Sequence, residues 1–386
     1  MRSVPLGELI AKAKSARAGG SEYPLLSMTM HGGLVDQSRK FKKRVASDDL
    51  SDYKVVKRGQ LVVGFPIDEA VLDFQMMYAE GIVSPAYGVW DLRDDASADR
   101  AYLKRYLRSD RAIAYYKAKL RGSTARRRSL PESDFLAHPI PLPPLVEQRR
   151  IAAILNHADA LRAKRRQVLA HLDILTQSIF HDAVKGASSM TTLRTMGVDF
   201  VAGKNVLGGD LDAHPRNRVI KVSAVSSGSF LEHESKPMPA DYTPPETHRL
   251  RRGDILFGRA SGSLDLLGAT AVVEGEPTDL FLPDKVWRME IGPSGRVVPE
   301  FALGLLRSTR VRAFIRHNAS GAAGVRNIGK AKLLECTAPL PPLELQRHFV
   351  TQANQVDVQR SAVRRAARAD DELFTSLQFR AFRGEL

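Results

Sequence analysis

Apolar residues recur at seven-residue intervals through two long stretches of the chain, and this spacing predicts coiled-coil helices. The first stretch has no Pro or Gly between Glu147 and Gly186, so a helix there could be about 55 Å long. Its seam consists of Ile151, Ile154, Ala158, Leu161, Val168, Leu172, Leu175 and Ile179, interrupted by Arg165. The seam of the second stretch consists of Phe349, Val356, Val363, Ala366, Leu373 and Leu377, interrupted by Gln352, Gln359 and Asp370.

Such narrow seams predict partner helices, because a helix that packs on a globular core shows a broader apolar stripe. Two such helices in one chain can pair with each other. We expect an antiparallel coiled coil that relates the two halves of the chain by an approximate two-fold axis. The alternative is two independent amphipathic helices, each docked on its own domain.

The two stretches also repeat each other in sequence. Residues 140–148 read IPLPPLVEQ and residues 338–346 read APLPPLELQ, an offset of 198 (346 − 148) that then continues without a gap. The matched pairs are Arg149 with Arg347, Asp159 with Asp357, Arg162 with Arg360, Leu175 with Leu373, Ser178 with Ser376, Ala183 with Ala381, and Gly186 with Gly384. Duplication is the simplest account, and the Pro-rich run should hold the chain extended before each helix.

The blocks that precede the helices have diverged but keep a common order. Short β-like runs are found at 60–65, 82–90, 218–225, 254–258 and 269–273. A helical pattern follows in each block, at 98–120 and 299–317, and then a Gly-bearing basic loop, at 121–128 and 321–330. Leu107-Arg108-Ser109 of the first pattern matches Leu306-Arg307-Ser308 of the second. These features predict two mixed α+β domains.

We therefore divide the chain into a first domain at 1–140, a spacer helix at 141–186, a second domain at 187–337 and a second spacer helix at 338–386.

The balance of charge points to a polyanionic partner. The chain of 386 residues has a formal net charge of +15, and Lys and Arg bind nucleic acid by neutralising phosphates. The alternative is a basic but inert surface. A single cysteine, Cys336, excludes an internal disulfide and a Cys-based zinc site, which fits a reducing, cytoplasmic setting. Because no signal peptide or long apolar run is present, we expect no membrane partner.

Enzymatic motifs are incomplete. Residues 324–331 approach the phosphate-binding pattern G-x-x-x-x-G-K-[ST], but Ala331 stands where a hydroxyl would bind Mg²⁺. Asp284, Lys285 and Glu290 do not follow a nuclease spacing, and the histidines lack the spacing of metal ligands. There is no Asn-Pro-Pro-aromatic motif for amino methylation. We therefore expect neither a catalytic centre nor a metal site in this chain.

The duplicated motif resembles that of a known family. PLPPLVEQRRI at 141–151, RRGDILFGR at 251–259 and PLPPLELQ at 339–346 are similar to the specificity subunits of type I restriction–modification enzymes. The resemblance covers the whole chain, although Leu345 stands where the first copy has Glu147.

The resemblance implies a function without catalysis. Each variable block would be a target-recognition domain that reads one half of a bipartite site in double-stranded DNA. The paired helices would set the spacer and dock two methyltransferase (M) subunits, and motor-nuclease (R) subunits would complete the complex. S-adenosylmethionine, ATP and Mg²⁺ would belong to these partners. The assembly would be a type I restriction endonuclease and adenine methyltransferase.

Polar residues in basic loops are the candidates for contact with DNA, since Arg suits guanine, Asn or Gln suits adenine, and Lys suits phosphate. In the first domain they are Gln37, Arg39, Lys40, Lys42, Lys43, Arg44, Arg126, Arg127 and Arg128. In the second they are Lys204, Asn205, Arg216, Asn217, Arg218, Arg259, Ser261, Arg326, Asn327 and Lys330. Each basic run could instead be solvated surface.

A different class of function also fits part of the pattern. A basic coiled-coil scaffold could bridge protein partners and touch DNA only incidentally. Such a scaffold has no need for two diverged globular blocks beside near-identical spacers, and this difference favours the DNA-reading subunit.

Overall fold

The computed structural model describes residues 2–30, 32–40, 49–121, 129–187, 189–206, 216–293, 296–321 and 324–386. They form two units. The first unit consists of Met1–Gln167 with Arg364–Leu386, and the second is Val168–Val363. Each unit therefore contains one globular block together with part of each long helix, and the chain passes between the units only within those helices.

The elements are as follows in chain order. The first block contains β1 (Ser3–Pro5), α1 (Leu6–Leu9), β2 (Ile10–Lys12), β3 (Leu26–Thr29), β4 (Gly33–Asp36), α2 (Gln37–Lys40), β5 (Lys54–Lys57), β6 (Leu61–Val63), a 3-10 turn (Ile67–Glu69), β7 (Leu72–Phe74), β8 (Glu80–Val83), β9 (Gly88–Leu92), α3 (Arg100–Leu107), α4 (Asp110–Lys119), α5 (Glu132–Leu136) and β10 (Pro139–Pro141). The first long helix is α6 (Leu145–Lys185). The second block contains β11 (Met190–Thr192), β12 (Val198–Ala202), β13 (Arg218–Ile220), α7 (Ser223–Ser226), β14 (Ser235–Pro237), a 3-10 turn (Glu246–His248), β15 (Ile255–Gly258), β16 (Ala260–Ser261), β17 (Thr270–Val272), β18 (Leu280–Phe281), β19 (Val286–Ile291), α8 (Pro299–Arg307), α9 (Thr309–His317), β20 (Arg326–Asn327), α10 (Lys330–Leu334) and β21 (Thr337–Pro339). The second long helix is α11 (Leu343–Ala381).

Both units contain a four-stranded antiparallel sheet of the same order. The first is β2-β9-β6-β7 and the second is β12-β19-β15-β17. A helix pair follows each sheet, α3 with α4 in the first unit and α8 with α9 in the second. The mixed α+β class predicted from the sequence is confirmed, and so is the internal repeat.

The Pro-rich run is extended, as predicted, because a strand and two tyrosines hold it. In the first unit β10 pairs with β1, and β21 pairs with β11 in the same way in the second. The hydroxyl groups of Tyr102 and Tyr106 on α3 donate to the carbonyl oxygens of Pro141 (2.6 Å) and Pro139 (2.8 Å). These carbonyls therefore have partners although proline cannot donate to a sheet.

Each predicted helical pattern is two helices rather than one. The break falls at Ser109 in the first unit and at Ser308 in the second, where the side chain accepts the backbone N–H three residues later (3.3 Å in both). Serine in this position caps a new helix. The predicted run 82–90 is likewise two strands, separated by a turn, and the strand predicted at 218–225 ends at Ile220 before α7.

The long helices pair in antiparallel fashion within the first unit. The guanidinium group of Arg162 on α6 contacts the carboxylate of Asp371 on α11 at 2.5 Å, and Arg165 contacts Asp370 at 2.8 Å. Arg162 also lies over the ring of Phe374, 4.4 Å from its centroid. The interior between the helices is therefore partly charged at this level.

The second unit repeats this arrangement. Arg360 on α11 contacts the carboxylate of Asp173 on α6 at 3.2 Å, and it donates to the hydroxyl of Thr176 at 2.8 Å. Further along, Phe349 packs edge-on against Phe180, with ring centroids 5.4 Å apart. Arg162 and Arg360 are partners in the repeat, and Asp173 and Asp371 differ by the same 198 positions (371 − 173). The predicted antiparallel pairing is confirmed in each unit taken by itself.

Candidate DNA interface

A buried glutamine attaches the start of α6 to the first domain. The side-chain amide of Gln148 donates to the carbonyl oxygens of Pro143 (2.9 Å) and Ser97 (3.0 Å), and its oxygen accepts the backbone N–H of Asp99 (2.8 Å). Asp99 caps the N-terminus of α3, so the glutamine connects two helices of one unit. Both the nitrogen and the oxygen of the side-chain amide form hydrogen bonds, and the residue is 0% exposed.

The second unit has the same attachment. Gln346 donates to the carbonyl oxygens of Pro341 (2.8 Å) and Arg296 (3.0 Å), and it accepts the backbone N–H of Val298 (2.9 Å) at the start of α8. It is also 0% exposed. An amide that meets two acceptors and one donor has only one orientation, so each long helix leaves its domain in a defined direction.

An arginine that the two halves of the chain share holds the last strand of each sheet. Arg108 donates to the carbonyl oxygens of Leu72 (3.0 Å) and Met30 (3.1 Å), and burial lowers the pKa of its guanidinium. Arg307 donates to the hydroxyl of Thr270 (2.8 Å) and to the carbonyl oxygen of the same residue (3.3 Å). Leu72 and Thr270 both begin the last strand of their sheets, so the matched Leu-Arg-Ser triplets have a common structural role.

In the second unit the fold brings together four of the predicted DNA-contacting residues. Strand β16 pairs with β20, which places Ser261 opposite Arg326 and Ala260 opposite Asn327. The backbone N–H that follows β20 also donates to the carbonyl oxygen of Arg259 at 3.0 Å. A hydroxyl, an amide and two guanidinium groups thus lie on one short ribbon, and these are the side chains that read base edges and bind phosphate.

The guanidinium group of Arg259 has a defined position on this ribbon. It donates to the carbonyl oxygen of Asp284 at 2.9 Å and lies 5.7 Å from the ring centroid of Trp287. The carboxylate of Asp284 is 4.0 Å away, which is the limit of an ion pair. Arg259 is therefore held by backbone and ring contacts more than by a neutralising partner.

The other candidates of the second unit belong to different parts of it. Lys204 and Asn205 follow β12. Lys330 donates to the carboxylate of Asp199 (2.8 Å) and to the carbonyl oxygen of Phe200 (2.7 Å) on that strand. This ion pair borders an open cavity of about 570 Å³.

A further group lies at β13. Arg218 donates to the hydroxyl of Ser235 at 3.0 Å, and the carbonyl oxygen of Asn217 accepts the backbone N–H of Met238 at 3.0 Å. Arg216 precedes this strand and is exposed. The described residues of the second unit therefore present three separate groups of predicted DNA-contacting residues, of which the β16–β20 ribbon, with Arg259, Ser261, Arg326 and Asn327, is the largest.

Of the candidates in the first unit, Gln37 is the one whose side chain the structure describes. Gln37 begins α2 and is only 5% exposed. Arg39 and Lys40 belong to the same helix, but their side chains lie outside the described part of the structure. Lys42, Lys43, Arg44, Arg126, Arg127 and Arg128 also lie outside the described residues.

The predicted seam positions differ in burial. Those that are buried or partly buried are Ile151, Ile154, Leu172, Ile179, Phe349, Val356, Val363 and Leu377. Those that are exposed are Leu161, Val168, Leu175 and Leu373. Leu161, Val168 and Leu175 keep the seven-residue spacing along α6, and Leu373 lies on α11 with the exposed Val358, so each long helix has apolar surface beyond what its partner helix covers.

The described residues contain neither a cluster of metal ligands nor a membrane-spanning helix. No group of three or more His, Cys, Asp or Glu side chains among them could hold a metal ion. Within the same residues, no helix is long and apolar enough to cross a bilayer.

Part of the chain is similar in sequence to a curated protein. Over 277 residues it is 24% identical to the specificity subunit of the type I restriction enzyme EcoKI from Escherichia coli strain K12. The matched region covers 64% of this chain and 57% of that subunit. The fold is similar to the crystal structure of a type I restriction–modification S subunit from M. genitalium, with a TM-score of 0.58, 12% identity, and coverage of 99% of this chain and 96% of that one. This chain is similar to type I specificity subunits in sequence over part of its length and in fold over nearly all of it.

A second structure of this group has a TM-score of 0.52 and 17% identity, covers 100% of this chain and 98% of its own, and comes from a study of the assembly and conformational transition of the type I restriction–modification system. The chain spans a little over half the length of the curated EcoKI subunit. No family model matches it. The resemblance to specificity subunits predicted from the duplicated PLPPL motif is confirmed.

Proposed function

We propose that the chain is the DNA-reading specificity subunit of a type I restriction–modification complex and has no catalytic activity of its own. The duplicated attachment supports this proposal. Two globular blocks with the same sheet order are each attached through a buried glutamine, Gln148 or Gln346, to a long helix. Two readers on paired helices suit a bipartite DNA site whose halves lie at a fixed separation.

The side chains of the β16–β20 ribbon are suited to the reading role. Arg259 and Arg326 can contact guanine or phosphate, and Asn327 can contact adenine. The net charge of +15 adds the non-specific affinity that brings such a protein to DNA. We propose that the chain binds DNA in the cytoplasm.

The long helices are proposed to dock two methyltransferase subunits. Exposed apolar side chains support this in each unit: Leu161 and Leu373 in the first, and Val168, Leu175 and Val358 in the second. Large apolar side chains on a helix that already has a partner favour a further helix from another protein. S-adenosylmethionine, ATP and Mg²⁺ are assigned to the methyltransferase and motor-nuclease subunits.

Methylation sequencing of the host genome tests the proposal. Deletion of the gene should abolish methylation at one bipartite motif, and restoring the gene should recover it. Exchange of residues 1–140 for the same block of another specificity subunit should change only one half of that motif. A swap that changes both halves contradicts the two-reader arrangement. A deletion that changes no motif in an active system favours the scaffold function instead.

The role of the helices has a separate test. Seven residues inserted into both helices, after Gln167 and after Val363, add about 10 Å of helix, the rise of about three base pairs. The methylated motif should then keep both halves and accept a spacer longer by about three base pairs. Insertion into one helix only is the control, since it breaks the Arg–Asp contacts and should reduce methylation at any spacer. A double insertion that leaves the spacer unchanged contradicts the ruler role.

A further inference from the structure

Equivalent loops of the two units present large apolar side chains to solvent. The loop between β6 and β7 carries Phe65, which is 61% exposed. The loop between β15 and β17 carries Leu264 at 39% and Leu266 at 43% exposure. The common sheet order makes these two loops counterparts, although their sequences differ. The same kind of feature has therefore been kept in both domains by different residues.

Both loops have fixed bases. In the first unit the backbone N–H of Gly64 donates to the carbonyl oxygen of Val71 at 2.8 Å, and Ile67 and Ala70 are buried beneath the turn. Arg108 in the first unit and Arg307 in the second hold the strand that follows each loop, and so also fix the end of the loop. A side chain presented from a fixed base loses little conformational entropy when it binds.

In the second unit a partly buried arginine holds the backbone of the loop. The guanidinium group of Arg312 on α9 donates to the carbonyl oxygens of Asp265 and Leu267. Leu267 is buried in the core of the unit, and the backbone N–H of Gly268 closes the loop by donating to the carbonyl oxygen of Gly258 at 2.8 Å. The loop therefore buries one leucine and presents two others outward.

The charges beside this loop identify the kind of ligand. The loop includes β16, so Ser261 lies three positions before Leu264 in the chain, and Arg326 lies opposite Ser261 across the ribbon. Arg259 precedes them. The carboxylate of Asp265, between the two leucines, is paired with Arg316 at 3.5 Å. Cations beside exposed apolar side chains suit a polyanion with apolar faces between its charges, such as the stacked bases and phosphates of double-stranded DNA.

We propose that Phe65 in one domain and Leu264 with Leu266 in the other are wedges that enter a base step of the DNA, one step in each half-site. Wedge residues partly unstack the step and kink the duplex. Pyrimidine–purine steps unstack most easily, so each wedge would select sequence at a position where no hydrogen bond is made to a base. This inference rests on the proposed function, since it assigns one wedge to each half-site.

The test uses the chain assembled with its methyltransferase subunits on a duplex that contains the methylated motif. 2-Aminopurine is placed at each position in turn, and the bend is measured by energy transfer between dyes at the duplex ends. The wild-type complex should raise 2-aminopurine fluorescence at one step in each half-site. Phe65→Ala should remove the signal from one half-site only, reduce the bend, and weaken binding roughly 5- to 150-fold.

Matched variants separate the wedge from general effects. Phe65→Leu should restore part of the signal, because it keeps an apolar wedge. Met77→Ala removes another exposed apolar side chain from the same unit and should change nothing. The double variant Leu264→Ser with Leu266→Ser should affect only the opposite half-site. Circular dichroism checks that each variant is folded.

The possible failures are distinguishable. If Phe65→Ala leaves the fluorescence and the bend unchanged in a complex that still selects its motif, the wedge is wrong and the proposed function stands. If the variant instead loses its methyltransferase subunit, while complexes that do assemble bend DNA normally, the loop is a protein-docking surface and the wedge is again wrong. A wild-type complex that selects no bipartite site overturns the proposed function, and the wedge with it.

Discussion

The glutamine at the start of each long helix should contribute strongly to stability, because its amide bonds to three backbone groups. Replacement of Gln148 by leucine keeps the volume but removes hydrogen bonds of 2.8, 2.9 and 3.0 Å and leaves the backbone N–H of Asp99 without its acceptor. At about 1 kcal/mol for each bond, the free energy of unfolding of the first unit should fall by about 3 kcal/mol.

The two tryptophans of the chain allow each unit to be followed separately. Trp90 is buried in the first unit and Trp287 in the second, so a variant with one of them replaced by phenylalanine reports urea unfolding of a single unit by fluorescence. Gln148→Leu should destabilise the unit of Trp90, and Gln346→Leu should destabilise that of Trp287 by a similar amount. Gln167→Leu, at an exposed position of the same helix, is the control.

The result that refutes this reasoning is specific. If Gln148→Leu lowers the free energy of unfolding by no more than about 0.5 kcal/mol, which is the usual range for a surface substitution, the three hydrogen bonds do not hold the helix to its domain. Unequal effects of the two leucine substitutions would mean that the repeated geometry does not imply repeated energetics.

Three other predictions concern stability and are checked by the same unfolding measurement. Arg162→Asp should destabilise the first unit, and adding Asp371→Arg should recover about 0.5–1 kcal/mol, since both side chains are partly exposed; additive effects would exclude a direct pair. Burial lowers the pKa of His138 to about 4 in the folded chain, whereas the ordinary pKa of histidine, 6.5, applies in the unfolded chain. Below pH 6.5 the unfolded chain therefore binds a proton that the folded chain does not, and the free energy of unfolding should fall by about 3 kcal/mol at most between pH 6.5 and pH 4. His138→Leu should remove this fall. Gly203→Ala should be strongly destabilising, because the added carbon would lie 1.8 Å from a backbone carbonyl oxygen, whereas Gly186→Ala meets no atom within 4 Å and should be tolerated.

The sequence was most informative where the structure is local and repeated. The heptad spacing and the ungapped offset predicted both long helices, because an α-helix depends on side chains three and four positions apart. The class of the domains and the family followed from the same repeat. Proline before each helix correctly predicted an extended chain, since its ring excludes helix.

The arrangement of the site was less predictable, because it depends on contacts between distant parts of the chain. Ser261 and Arg326 are neighbours on one ribbon although 65 positions separate them (326 − 261), and no local pattern reveals such a pairing. The apolar rule for coiled coils also missed the charged contacts of Arg162 and Arg360 between the helices. The sequence did contain an indication of these contacts, because the repeat matches Arg162 with Arg360. Residues that match across a duplication often share a structural role.

The two Arg–Asp contacts have a consequence for the ancestry of the chain. Each long helix contains both partners, an arginine and an aspartate eleven positions later (173 − 162 and 371 − 360). A helix of this kind is complementary to an antiparallel copy of itself, so an ancestor with a single domain and helix could have formed a symmetric dimer without any new residue. Fusion of two such genes would keep the helices under mutual constraint while leaving each globular block free to diverge, and this is the pattern of similarity that the two halves now show.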